Sequence, residues 1–107
     1  MMNNPLPIQD FLQPGKRVHL VGIGGVSMCP LAEVLRGRGM EITGSDMNDS
    51  ESVERLRAMG IPVTIGHRPE SVEGADFIVR TAAVHDENPE IVRAMELGIP
   101  IFKRAEA

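Results

Sequence analysis

Seven consecutive residues carry the sharpest chemical signal: Gly22-Ile23-Gly24-Gly25-Val26-Ser27-Met28. A strand-like run, Lys16 to Val21, leads into them and a helical pattern follows. That context gives a glycine-rich loop its meaning. Gly22 permits a tight turn, and Gly24 lets the backbone approach a diphosphate. Near Val26 and Ser27, free N–H groups and the helix dipole offer a positive end to an anion without any Lys or Arg. Ser27 stands where the fingerprint has Gly or Ala; it is small, able to cap the helix and to bond a phosphate oxygen. Pro30 falls in the first helical turn, where its missing N–H costs little. The plainer alternative is a turn that merely needs glycine, and the strand–loop–helix context favours the diphosphate.

Asp46 follows a second strand-like run, 24 positions after Gly22. An acid at that place holds ribose hydroxyls in dinucleotide folds. A cap or turn is its other use, since Asn48-Asp49-Ser50 follow directly. Loop and acid together specify a nucleotide diphosphate, and at this level NAD and a UDP-sugar look alike. His67, in Ile65-Gly66-His67, and Thr81-Ala82-Ala83-Val84 each follow a further strand. Both fall at the sheet edge where such folds bind ligands. By position alone His67 is more simply an exposed loop histidine, while at Thr81 and Ala82 a close nucleotide approach and a plain loop are not separable. His85-Asp86-Glu87 lacks metal-ligand spacing and reads as a solvated loop. Cys29 reads as a packed first-turn residue with no histidine near in sequence to activate it. The ATP phosphate loop G-x-x-x-x-G-K-[ST] is absent, for Gly15-Lys16 is followed by Arg17. With no triad or paired carboxylates either, no catalytic residue, metal or cofactor is assigned to this chain.

Several elements must position these residues. Strands are expected at 16–21, 41–45, 62–65, 77–79 and 99–102. Met28, Leu31, Ala32 and Leu35 recur at i, i+3, i+4, i+7, one apolar helix face, and Gly37 and Gly39 close that helix. Val53 and Leu56 mark a second helix, with Asn48, Asp49 and Ser50 as rival caps, Glu51 and Arg55 as a supporting pair, and Gly60 as its stop. Asn88-Pro89-Glu90 starts a third: cap, Pro at N1, and an acid in the first turn. Its buried face is expected at Ile91, Val92 and Met95, and Gly98 ends it. Short apolar strands alternating with amphipathic helices imply an α/β fold with a parallel sheet covered on both faces. Right-handed crossovers give a Rossmann-like three-layer fold, five strands in order 3-2-1-4-5. Pro100 argues that the fifth strand lies at the edge. Residues 1–15, with three prolines, read as an arm, and 16–107 as the domain. The charged tail Arg104-Ala105-Glu106 reads as a cut in a longer chain.

Bulk properties bound the partners. At 107 residues the chain is one domain with a real core. A net charge of -4 argues against a broad nucleic-acid or anionic-membrane surface. One cysteine and no signal peptide point to a reduced, cytoplasmic protein.

The residues also resemble a known family. His19-Leu20-Val21 with the glycine loop, then Leu31-Ala32-Glu33-Val34-Leu35, Gly44-Ser45-Asp46 and Ile65-Gly66-His67 are similar to the first domain of the Mur ligases of bacterial peptidoglycan synthesis. So are Gly74-Ala75-Asp76, Asn88-Pro89-Glu90, Gly98-Ile99-Pro100 and Arg104-Ala105-Glu106, from about Arg17 to the last residue. The resemblance implies a three-domain enzyme. Its first domain binds the UDP end of the substrate, its central domain carries ATP and magnesium, and its last binds the amino acid. Within the family the likeness is to the member that joins L-alanine to UDP-N-acetylmuramate through an acyl phosphate. The member that recycles murein tripeptide is similar and ranks second, and an NAD-binding regulatory module is a further alternative. Carried over by position, Gly22 to Met28 hold the diphosphate. Ser45, Asp46 and His67 meet the uridine end, and Thr81 and Ala82 line the same edge. Ser27 and Pro30 depart from the family pattern and bear on the fine geometry of phosphate contact. This chain alone is expected to bind without turnover, taking up L-alanine and ATP only through domains it lacks.

Overall fold

The computed structural model describes residues 13–25, 28–81 and 84–103. Five parallel strands form one sheet: β1 (Arg17–Val21), β2 (Glu41–Asp46), β3 (Val63–Ile65), β4 (Phe77–Arg80) and β5 (Ile101–Lys103). Their order is β3-β2-β1-β4-β5, as the crossover argument requires. Helices α1 (Met28–Gly37), α2 (Glu51–Ala58) and α3 (Pro89–Leu97) form the crossovers. A 3₁₀ turn, Pro69–Val72, fills the span between β3 and β4 that the sequence suggested was only a polar turn.

Strand parity sorts the core into two layers. Val18 and Leu20 of β1, and Phe77 and Val79 of β4, join the larger cluster with Met28, Ala32, Leu35, Val53 and Leu56 of α1 and α2. The alternate residues Val21 and Ile78 face the other way and pack with Val72 and with Ile91 and Ala94 of α3. His19 shares the parity of Val21, so β1 aims an imidazole at the α3 layer. Thr43 and Ser45 are brought alongside by the register, His19 opposite Thr43 and Val21 opposite Ser45.

The helix ends follow their sequence signals. Ser50, of the three rival caps, is the one used for α2: its hydroxyl accepts the Val53 N–H at 3.3 Å. Arg55 pairs with Glu33 of α1 at 2.9 Å, so that side chain ties two helices together. Asn88 caps α3 by accepting the Glu90 N–H at 2.9 Å. Gly98, in the left-handed region at φ 74°, closes it.

The buried face of α3 differs from the expectation. It consists of Glu90, Ile91 and Ala94, while Val92 and Met95 are exposed. Apolar spacing alone misjudged the phase because the inward position one turn before Ala94 holds a carboxylate. That carboxylate is tolerated inside because the sheet supplies its hydrogen-bond donors. β5 lies at the sheet edge as expected, but pairing begins at Ile101. The Pro100 carbonyl just before it accepts the Ile78 N–H. The expected arm lies mostly outside the described residues, as does Arg104-Ala105-Glu106. No helix among the described residues is long and apolar enough to cross a membrane.

Candidate functional site

A cleft of about 530 Å³ opens at the C-terminal ends of the strands. Gly22 and Gly25 of the glycine loop line it, with Asp46, His67 and Thr81. These come from behind β1, β2, β3 and β4, which is why a parallel sheet collects residues 59 positions apart at one edge. Met47 and Asn48 add to the β2 side.

The loop itself is locked. Gly22 takes φ 83°, a conformation that favours glycine. The Gly22 and Ile23 N–H groups both donate to the Ser45 carbonyl, at 2.9 and 3.0 Å. Gly25 N–H donates to the Gly22 carbonyl, and those of Met28 and Cys29 to the Gly25 carbonyl. Gly24 N–H donates to Asp46 Oδ2 at 2.9 Å. The described amides of the loop are therefore all committed internally. The donors expected to meet an anion, at Val26 and Ser27, lie outside the described residues, and so does Ala82.

Several assigned residues serve from behind the cleft. Ile23 and Met28 are fully buried core side chains. Ile23 sits directly on Gly44, where an added Cβ would come within 2.4 Å of its Cδ1. Gly24 abuts Asp46 and Val53, at 3.0 and 3.2 Å from an added Cβ. Its smallness keeps the Asp46 carboxylate against the loop. Asp46 also accepts the Asn48 N–H at 3.0 Å through Oδ1. It is thus a turn residue that also lines the cleft.

Behind the cleft lies a network absent from the sequence reading. Glu90 is fully buried, with His19 and Ser45 beside it. His19 Nε2 lies 2.9 Å from Glu90 Oε1, and Ser45 Oγ donates to the same oxygen at 2.6 Å. The Arg68 backbone N–H donates to Oε2 at 3.0 Å. Thr43 Oγ1 meets His19 Nδ1 at 2.8 Å, and His67 Nδ1 meets Ser45 Oγ at 2.9 Å. Burial pushes the Glu90 carboxyl up. Hydrogen bonds from His19 and Ser45, the electrostatic pull of His19 and the Arg68 N–H outweigh it and hold the group below the usual carboxylate range. The available signal was a histidine at an inward position of an apolar strand, but its partner is 71 residues away.

The loop after β4 is solvated as expected at His85, Asp86 and Glu87, all three exposed, and Arg80 holds it to the sheet. The Arg80 guanidinium bonds Asp86 and the Val84 carbonyl, and its hydrogen bond holds the Asp86 carboxyl below the ordinary range. His85 is exposed and borders the cleft. Cys29 is buried as expected. Burial first, and then Glu33, push its thiol up, which leaves it a poor nucleophile. No group of three or more His, Cys, Asp or Glu among the described residues is arranged to hold a metal ion. The residues lining the cleft include no Lys or Arg.

Known proteins resemble this chain in sequence and fold. The UDP-N-acetylmuramate–L-alanine ligase of Legionella pneumophila (strain Corby) is 52% identical over 108 residues, covering 97% of this chain and 22% of that protein. Among solved structures, UDP-N-acetylmuramate-alanine ligase from Thermotoga maritima superposes with a TM-score of 0.80 at 38% identity, over 82% of this chain and 20% of that one. UDP-N-acetylmuramate:L-alanyl-gamma-D-glutamyl-meso-diaminopimelate ligase from Neisseria meningitides gives 0.77 at 27% identity, over 83% and 28%. The chain thus spans about a fifth of the length of the curated relatives it matches. The family described as "Mur ligase family, catalytic domain" matches residues 17–107. That match runs through every strand and helix that builds the cleft, and the chain belongs to the Mur ligase family.

Proposed function

We propose that residues 16–107 form the substrate-binding domain of a ligase that joins L-alanine to UDP-N-acetylmuramate, and that the cleft at the strand ends takes the uridine diphosphate. The observation that carries this reading is the cleft itself. A glycine loop, an acid after β2 and His67 after β3 converge there in a chain 52% identical to an L-alanine-adding ligase. Identity to the solved L-alanine ligase exceeds that to the solved tripeptide ligase, 38% against 27%, which favours the former as the model for substrate.

In this reading the positive end of the α1 dipole faces the diphosphate. Asp46 retains acceptor capacity beyond its two backbone partners, since an ionised carboxylate offers about four lone-pair sites. A ribose hydroxyl is a fitting third donor. Thr81, which lines the cleft, borders the ligand. Ser45 supports the site from behind, through His67. The sequence carries no ATP phosphate loop. ATP and magnesium are assigned to other parts of a longer protein, and no chemical step is routed through this chain. Its work is to bind and orient, and the setting is the bacterial cytoplasm.

A protein-observed NMR titration with UDP-N-acetylmuramate, UDP and NAD in parallel tests the reading. Shifts at Gly24, Gly25 and Asp46 with the uridine ligands alone are expected. Shifts with NAD alone would replace the proposal by a dinucleotide-binding module. Displacement of bound UDP by NAD at equal concentration would refute it.

A further inference from the structure

Glu90, Ser45 and His67 form a chain of hydrogen bonds from the buried side of the sheet to the cleft. A carboxylate only accepts. Glu90 Oε2 takes the Arg68 N–H, and Oε1 takes His19 Nε2 and Ser45 Oγ. The 2.6 Å Ser45 contact is in the range of an O–H donated to a carboxylate. Ser45 has one hydroxyl proton, and Glu90 receives it. Ser45 Oγ then has only lone pairs for its other neighbour, His67 Nδ1 at 2.9 Å. That nitrogen must therefore carry the hydrogen. A neutral imidazole has one N–H, so Nε2 is bare. His67 lines the cleft, and no hydrogen bond to its Nε2 is made among the described residues.

We propose that Glu90, acting through Ser45, is a positioning residue that fixes the His67 tautomer. His67 then faces the cleft as a hydrogen-bond acceptor for a neutral N–H or O–H donor of the ligand. An imide of a pyrimidine base and a sugar hydroxyl both have that chemistry, whereas a phosphate oxygen does not. The ligand half of this inference rests on the proposed reading of the cleft; the tautomer half does not.

Glu90→Gln provides a perturbation that a merely structural role would not answer. The Arg68 backbone N–H can only donate, so it claims the glutamine oxygen. The glutamine NH₂ then faces His19 and Ser45, and both must become acceptors. Ser45 turns its proton to His67 Nδ1, and His67 takes the opposite tautomer, with its hydrogen on Nε2.

Heteronuclear NMR of the imidazole nitrogens reads this directly, at about pH 8, above the usual histidine range. Loss of signals in His67→Gln assigns them. In the wild-type chain His67 is expected with a protonated Nδ1 and a bare Nε2, and the reverse would overturn the proposal even if Glu90→Gln failed to fold. In folded Glu90→Gln the tautomer is expected to invert, and an unchanged ring would overturn the relay. On adding UDP, the Nε2 signal is expected to shift while Nδ1 keeps its proton. A doubly protonated ring in the complex would overturn the acceptor role. UDP methylated at N3 separates the sources: loss of the shift names the base imide as donor, and its retention names a sugar hydroxyl. Failure of UDP to bind would remove the ligand half together with the proposed function, and leave the tautomer result standing.

Discussion

Gly44→Ala places one methyl group where the fold has no room for it. The added Cβ would stand 2.4, 2.7 and 2.8 Å from Cδ1, Cβ and Cγ2 of Ile23. The Ile23 Cβ does not move with χ1, so a rotamer change does not relieve the 2.7 Å contact. Ile23 is fully buried, and its backbone cannot retreat freely. The Ile23 and Gly22 N–H groups both hold the Ser45 carbonyl, one residue beyond Gly44. Relief requires the loop to move off β2, at the cost of those bonds or of Ile23 packing. Overpacking of this kind costs about 1–3 kcal/mol, and the backbone anchoring argues for the upper part of that range. For a domain this small each kcal/mol lowers Tm by about 4–8 °C. The chain has no Trp or Tyr, so unfolding should be followed in urea by far-UV circular dichroism. The midpoint is expected to fall with the m-value unchanged. Ile23→Ala in the same chain should make the glycine substitution less costly, a coupling that a double-mutant cycle isolates. A Gly44→Ala variant within about 0.5 kcal/mol of wild type would refute the packing argument.

Further tests address the cleft and its support. Gly24→Val pushes on Asp46 and Val53; it is expected to cost about 1–3 kcal/mol of stability and to abolish UDP binding by calorimetry, with retained affinity counting against the loop. Asp46→Ala removes the carboxylate that holds the Gly24 and Asn48 N–H groups. Loss of a hydrogen bond to a charged group, about 1.5–3 kcal/mol, predicts UDP affinity reduced by about tenfold or more; unchanged affinity would exclude both its ribose and its loop-holding roles. Acid stability should follow Glu90. Its folded-state carboxyl is more acidic than the unfolded one, near 4.3, so the unfolded chain binds more protons in the window between them. Its contribution is complete above about pH 4.3 and is lost as pH falls through the folded value. Urea midpoints against pH should therefore show a shallower acid limb in Glu90→Gln than in wild type, and equal limbs would show that the buried carboxyl is not linked to folding.

Local sequence determined much of this protein. The glycine loop between a strand and a helix, the Asn88-Pro89 start and the Gly98 stop are set by backbone conformation and capping within a few residues. Alternation of strands and helices, with right-handed crossovers, was enough for the order β3-β2-β1-β4-β5. Asp46, His67 and Thr81 fell at one sheet edge because a parallel sheet sends every strand end the same way. Choices between chemically similar neighbours were left to the tertiary structure. Ser50 rather than Asn48 or Asp49 caps α2, and Glu90 rather than Met95 turns inward on α3. The second choice has the clearest reason. Apolar periodicity assigns a carboxylate to the surface, because burial without donors is costly. Only the folded sheet brings His19 and Ser45, with the Arg68 N–H, to the one place where Glu90 is satisfied. The pattern within each segment is local and can be read from its own residues, but the partners of a buried charge are distant in sequence and exist only once the chain has closed around it.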